Sequence, residues 1–224
     1  MSEKKSYLIW DIPTRLFHWL LVCLVVFSWY SIEIEENLDW HFISGYCVLS
    51  LLLFRCLWGM IGTRHARFKN FLFKPATIIS YALTLRVKNS QIYAGHNPLG
   101  GVSVIAMLVI LLLQTITGLF ASDGDFYFGP LSDYVSTRTS DVLTEIHHFN
   151  TNIIYALIIL HLLAIAFYTF YKKQKLLSAM FNGKKTLDSG SNQAIENSRI
   201  TVALVVVVVC SVAVYLLVTV IGNG

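Results

Sequence analysis

Apolar residues fill five long stretches of the chain, Leu16 to Ile34, His41 to Ile61, Gly100 to Phe120, His147 to Tyr171 and Ile200 to Ile221. At a helical rise of about 1.5 Å per residue, each is long enough to cross a hydrocarbon core of about 30 Å. Between them, Pro75 to Val87 places Ile78, Ile79, Ala82, Leu83 and Leu85 behind a helix-starting proline, with basic residues on both sides, which predicts an interfacial helix. Asn97-Pro98 supplies an N-cap and a first-turn proline for the third span. The polar segment from Gly183 to Ser198, with its Gly and Ser residues, reads as a mobile tether to the fifth helix. No internal repeat stands out.

With 55% hydrophobic and 13% charged residues in 224, the chain is too apolar for an ordinary soluble domain. The predicted fold class is an all-α integral membrane protein with five crossings. Residues 1–180 form the membrane domain, 181–199 a cytoplasmic linker, and 200–224 the fifth helix with a short periplasmic tail. Of the 17 Lys and Arg residues, 16 fall in the N-terminus, the inner end of the second span, the 62–99 loop or the 172–199 linker. By the positive-inside rule this puts the N-terminus in the cytoplasm and the C-terminus in the periplasm. The opposite face carries Glu33, Glu35, Glu36, Asp39, Asp123, Asp125, Asp133, Asp141 and Glu145 against Arg138 alone. Its charge is near −8 although the whole chain is formally +4. Lys4 and Lys5 precede the first apolar stretch, but its length, its lack of a small-residue cleavage site and His18 within it favour a retained span over a signal peptide. Cys23, Cys47, Cys56 and Cys210 form no CxxC pair or haem-attachment CxxCH, and small apolar packing is their expected role.

Four histidines, His18, His41, His147 and His161, lie in these apolar spans, where an imidazole needs a partner to offset its desolvation. His147 and His161 are 14 residues apart, which on one helix is a rise of about 21 Å and an offset of only roughly 40°. Matching depths across antiparallel spans pairs His18 with His161 and His41 with His147. No acidic or thiol residue at span depth accompanies either pair to complete a zinc or iron site. Haem brings four nitrogens of its own and needs only axial ligands. Gly45, one turn from His41, lets a flat ring approach the backbone.

Trp10-Asp11-Ile12-Pro13-Thr14-Arg15-Leu16-Phe17-His18-Trp19, His41 with Gly45 and Tyr46, Gly95-His96-Asn97-Pro98-Leu99-Gly100, and His147 spaced 14 from His161 together resemble the bacterial cytochrome b561 family. That family includes the cytochrome b subunits of nickel-iron hydrogenases and small di-haem cytochromes that exchange electrons with quinones. The resemblance covers about residues 6 to 180; the fifth helix departs from the small four-helix members. It implies a four-helix transmembrane bundle plus a fifth C-terminal transmembrane helix, with two haem b groups in the bundle and His18, His41, His147 and His161 as axial ligands, in the bacterial inner membrane.

Other side chains carry two readings each. Arg55, 14 residues after His41, either neutralises a haem propionate or snorkels to the headgroups; Arg15 has the same choice, with anchoring slightly ahead. His148 points about 100° away from His147 and is expected off the site. His65 and His96 are expected in solvated or capping roles. An interfacial belt accounts for most of Trp10, Trp19, Trp29, Trp40 and Trp58. Tyr127 and Phe128 either rim a quinone or partner site or, by default, pack within their loop. The fifth span is expected to face lipid or dock a partner.

Iron closed on both faces by histidine suits electron passage and not oxygen binding. The implied function is electron transfer between the quinone pool and a periplasmic c-type cytochrome or other basic redox protein, with membrane lipid and quinone as further ligands and no nucleic acid. The alternatives are a membrane-anchor cytochrome b subunit of a hydrogenase-like complex, and a stand-alone superoxide/quinone oxidoreductase.

Overall fold

The structure, a computed structural model, describes residues 4–87, 92–188 and 193–222. Among the described residues, five helices are long and apolar enough to cross a membrane. They are α1 (Ile12–Glu33), α2 (Leu38–Ile61), α4 (Pro98–Leu119), α5 (Thr137–Ala166) and α7 (Ile200–Leu216); α5 and α7 each end in a π-helical turn. The predicted fold class and all five spans are present. Short α3 (Pro75–Leu83) and α6 (Leu176–Asn182) and the strands β1 (Lys4–Leu8) and β2 (Lys184–Asp188) complete the order.

Local chemistry sets the helix ends. Asp11 Oδ1 accepts the Thr14 N–H at 2.6 Å and caps α1. Between α1 and α2 the chain turns through Glu36 at φ 51°, and Asn37 Oδ1 caps α2 by accepting the Trp40 N–H at 3.0 Å. Asn97 Oδ1 accepts the Gly100 N–H at 2.8 Å, the cap expected for the third span.

The chain divides into two compact units, and the long helices contribute to both. One unit holds residues 1–16, 57–106 and 157–203. Here the first part of the expected tether is corrected: residues 184–188 form β2, which pairs antiparallel with β1 from Lys4↔Asp188 to Leu8↔Lys184, while the tether's residues 189–192 lie outside the described residues. Ile9 and Ala179 are buried beneath, with Tyr7 and Leu187 packed against them. Ile9 and Trp10 donate their N–H groups to the Gly183 carbonyl, which ends α6 at a φ of 77°. Lys185 donates to the Tyr93 carbonyl, and burial pulls its ammonium down to about 8. The Tyr81 hydroxyl of α3 meets that of Tyr168 at 3.0 Å, while Ile79 and Leu83 face outward as an interfacial helix requires.

The other unit holds residues 17–56, 107–156 and 204–224. Its core joins Leu49 of α2, Leu119 of α4 and Val214 of α7. Val206, Cys210 and Val214 make one buried stripe on α7, and Val205, Val208, Val209 and Val212 an exposed one. The fifth helix is thus an integral wall of this unit on one side. Cys210 alone of the four cysteines is buried; Cys23 and Cys47 are exposed, so the expectation of packing fails for those two.

Candidate functional site

His41 lies in the first turn of α2 and His147 in the middle of α5, and their ring centroids are 6.1 Å apart at 80°. Each ring is held from behind. His41 Nδ1 is 3.1 Å from both the carbonyl and the hydroxyl oxygen of Ser28 on α1. His147 Nδ1 is 2.9 Å from the Gln114 carbonyl on α4 and 3.3 Å from Thr117 Oγ1. Because a carbonyl can only accept, Nδ1 carries the proton in both rings and the lone pair lies on Nε2. That is the tautomer in which a histidine ligates metal through Nε2 while its other nitrogen is anchored.

The spacing fits one metal between the two rings. Metal–nitrogen bonds of about 2.0–2.1 Å, plus about 1.1 Å from each nitrogen to its ring centre, place opposed centroids about 6.3 Å apart. Space and close approach are both provided by glycine. A Cβ built on Gly45 meets nothing within 4 Å, and one on Gly118 would lie 3.0 Å from His147 Cε1. Among the described residues, no three His, Cys, Asp or Glu side chains gather as a bare-ion site. A donor set of two imidazoles fits a group that supplies its own equatorial nitrogens.

The remaining residues singled out by sequence fall as follows. His148 is exposed, so the adjacent ring is turned away. His18 on α1 is half-buried with Trp19 edge-on at 4.9 Å, and His161 is half-buried on α5. His18 belongs to one compact unit and His161 to the other. Arg55 is only 3% exposed, so its guanidinium is enclosed by protein and does not snorkel to headgroups. The Arg15 guanidinium donates to the Phe181 carbonyl, an anchoring contact.

Other expectations are corrected. His65 is buried, not solvated, with Nε2 2.7 Å from the Gln193 carbonyl, and burial lowers its pKa. His96 packs between Trp10 and Phe71 at centroid distances of 4.7 and 4.6 Å. Trp10 and Trp58 are core residues and not belt residues, whereas Trp29 and Trp40 are exposed. Loop packing does not hold Phe128, which is exposed together with Phe126. Asp123 Oδ1 accepts the N–H groups of Asp125, Phe126 and Tyr127, and these bonds, Tyr127's foremost, keep its carboxyl below the usual range.

Sequence reasoning passed over Ser28, Gln114, Thr117 and Asn150. Gln114 and Asn150 had a signal: uncharged amides within apolar spans, which need partners there as histidines do.

Residues 9–183 match the prokaryotic cytochrome b561 family. A similar protein is the "Probable Ni/Fe-hydrogenase B-type cytochrome subunit" of Rhizobium leguminosarum bv. viciae, 23% identical over 221 residues, covering 82% of this chain and 90% of that protein. No solved structure matches the chain significantly. With five spans among the described residues and a family match over most of its length, the chain belongs to the prokaryotic cytochrome b561 family and is a multi-pass bacterial membrane b-type cytochrome of electron transfer, for which haem b is the implied cofactor.

Proposed function

We propose that this chain is a di-haem cytochrome that moves electrons between the membrane quinone pool and a periplasmic redox protein. The observation that carries this is the His41–His147 pair, 6.1 Å between ring centres with each Nδ1 fixed on a backbone carbonyl. Haem b supplies a one-electron iron couple, and two histidines leave no open iron position for oxygen. His41 and His147 hold the outer haem, with Gly45 leaving room beside the ring. His18 and His161 hold the inner haem, a pairing that rests on matched depth along the sequence. Arg55, 14 residues along α2 from His41 and enclosed by protein, would neutralise a propionate of the inner haem, and Arg15 braces the helix that bears His18. The N-terminus is cytoplasmic, as the placement of 16 of 17 basic residues favours.

A second reading is favoured by one observation, the similarity to a hydrogenase B-type cytochrome subunit over 90% of that protein's length. In it the periplasmic partner is a permanently bound redox enzyme. Purification from native membranes with a stoichiometric soluble subunit would put this reading first.

Haem quantitation and reduced-minus-oxidised spectra of the purified chain test the main reading. The parent should carry two low-spin haems. His147→Ala and His161→Ala should each lose or convert one haem and keep the other. A parent with one haem, or either variant with two unaltered six-coordinate haems, refutes the assignment.

A further inference from the structure

His147 is gripped at two levels by one residue of the neighbouring helix. The main-chain carbonyl of Gln114 takes the His147 Nδ1 proton at 2.9 Å. Its side chain reaches the next turn of α5, donating from Nε2 to Thr151 Oγ1 at 3.1 Å and accepting from Asn150 Nδ2 at 2.8 Å. Asn150, 1% exposed, also donates to the Ile110 carbonyl at 3.0 Å, one turn back on α4. Thr151 Oγ1 in turn donates to the His147 carbonyl at 3.2 Å. Positions 147, 150 and 151 share one face of α5, and 110, 114, 117 and 118 share the facing side of α4.

We propose that Gln114 and Asn150 are positioning residues that set the basicity of His147 and thereby the redox poise of the outer site; this rests on His147 being an axial ligand. Two amides in an apolar span are costly unless paired; here the Asn150 amide donates to both Ile110 and Gln114 across the helix pair, while its own Oδ1 takes no partner among the described residues. They fix the α4–α5 register at the turn where ring and carbonyl meet. Gly118 completes the fit, because a Cβ there would lie 3.3 Å from His147 Nδ1. A short Nδ1–H to carbonyl bond makes the ligating nitrogen a stronger donor, which favours oxidised iron. Loosening the clamp should therefore raise the midpoint potential of one haem only.

The test is potentiometric titration with resonance Raman spectra on the haem-loaded protein in detergent, for Gln114→Leu, Asn150→Leu and the double variant. Each single change should bias one haem toward the reduced form by about three- to tenfold, tenfold being 59 mV for a one-electron couple. The iron–imidazole signature of that haem should shift and the other haem should stay put. The double variant should fall short of the summed shifts, since both residues act through one bond. If leucine prevents folding, the smaller and uncharged Asn150→Ala, which also removes both amide donors, gives the same reading. Unmoved midpoints and Raman signatures in folded, fully loaded variants would overturn the proposal. His147→Ala in the same preparation separates the two levels: if it keeps two six-coordinate haems the ligand assignment fails, and if it loses one while Gln114→Leu moves nothing, only the clamp fails.

Discussion

Arg55 illustrates how a single residue's reading turns on burial. From sequence, a cation near a helix end has an equal claim to the headgroups and to a cofactor carboxylate, and only its 3% exposure separates them. A cation enclosed in a low-dielectric bundle raises the potential of any nearby iron, because it disfavours the more positive oxidised state. On the proposed two-haem arrangement, Arg55→Leu should therefore lower the midpoint of the inner haem while leaving the outer one in place. An unchanged titration in a fully loaded variant would return Arg55 to a purely structural role. The histidines separate for a similar reason. The 14-residue spacing singles out His147 over His148, and in the fold the first faces His41 while the second is exposed. His65 and His96 misled because a loop position does not reveal burial; the aromatic shell of Trp10 and Phe71 is assembled from distant segments.

At the scale of elements, Asp11 joins the start of α1 to the end of α2. It caps α1 through Thr14 and accepts from the Thr63 hydroxyl and, at 3.4 Å, from Trp58 Nε1. Asp11→Ala removes a cap worth about 1 kcal/mol and strands buried donors at a cost of about 1–3 kcal/mol. Thermal unfolding in detergent should show a loss of about 2–4 kcal/mol, with Asp11→Asn losing less; equal stability of all three proteins would remove Asp11 from this role. The five spans and the Asn97 cap were legible because hydropathy and capping are local properties of the chain. The β1–β2 pairing was not, since its partners lie about 180 positions apart and polar, lysine-bearing strands give no apolar signal. Nor was the two-faced character of α7, because a run of valines looks the same on every side.

For the whole molecule, the membrane class was readable from composition and the five-span pattern, whereas the redox partner depends on surface fields. Glu33, Glu35, Glu36 and Asp39 are all exposed at the α1–α2 turn beside His41. The tip formed by Asp125 to Phe128 lies close by, with Tyr127 6.5 Å from Phe42. An acidic, aromatic rim of this kind should steer a cationic redox protein toward the His41–His147 pair. Electron transfer to a basic c-type cytochrome should slow as salt passes about 0.1 M, where the screening length is about 10 Å. Neutralising Glu35, Glu36 and Asp39 together should lower the association rate severalfold and flatten that dependence. The parental rate and slope in the triple variant would move docking elsewhere and bring the permanently bound partner forward. The two-stranded ribbon bears on how the protein can be dissected. Cutting the chain after Asn182 to obtain a minimal four-helix cytochrome would delete not only α7 but the strand that covers β1, baring Tyr7 and Leu8 and freeing the edge along which Lys4 to Leu8 is paired. Such a fragment would expose an unsatisfied strand edge to its neighbours, and its aggregation would report a lost seam between chain ends and say nothing about whether four helices suffice for the cofactors.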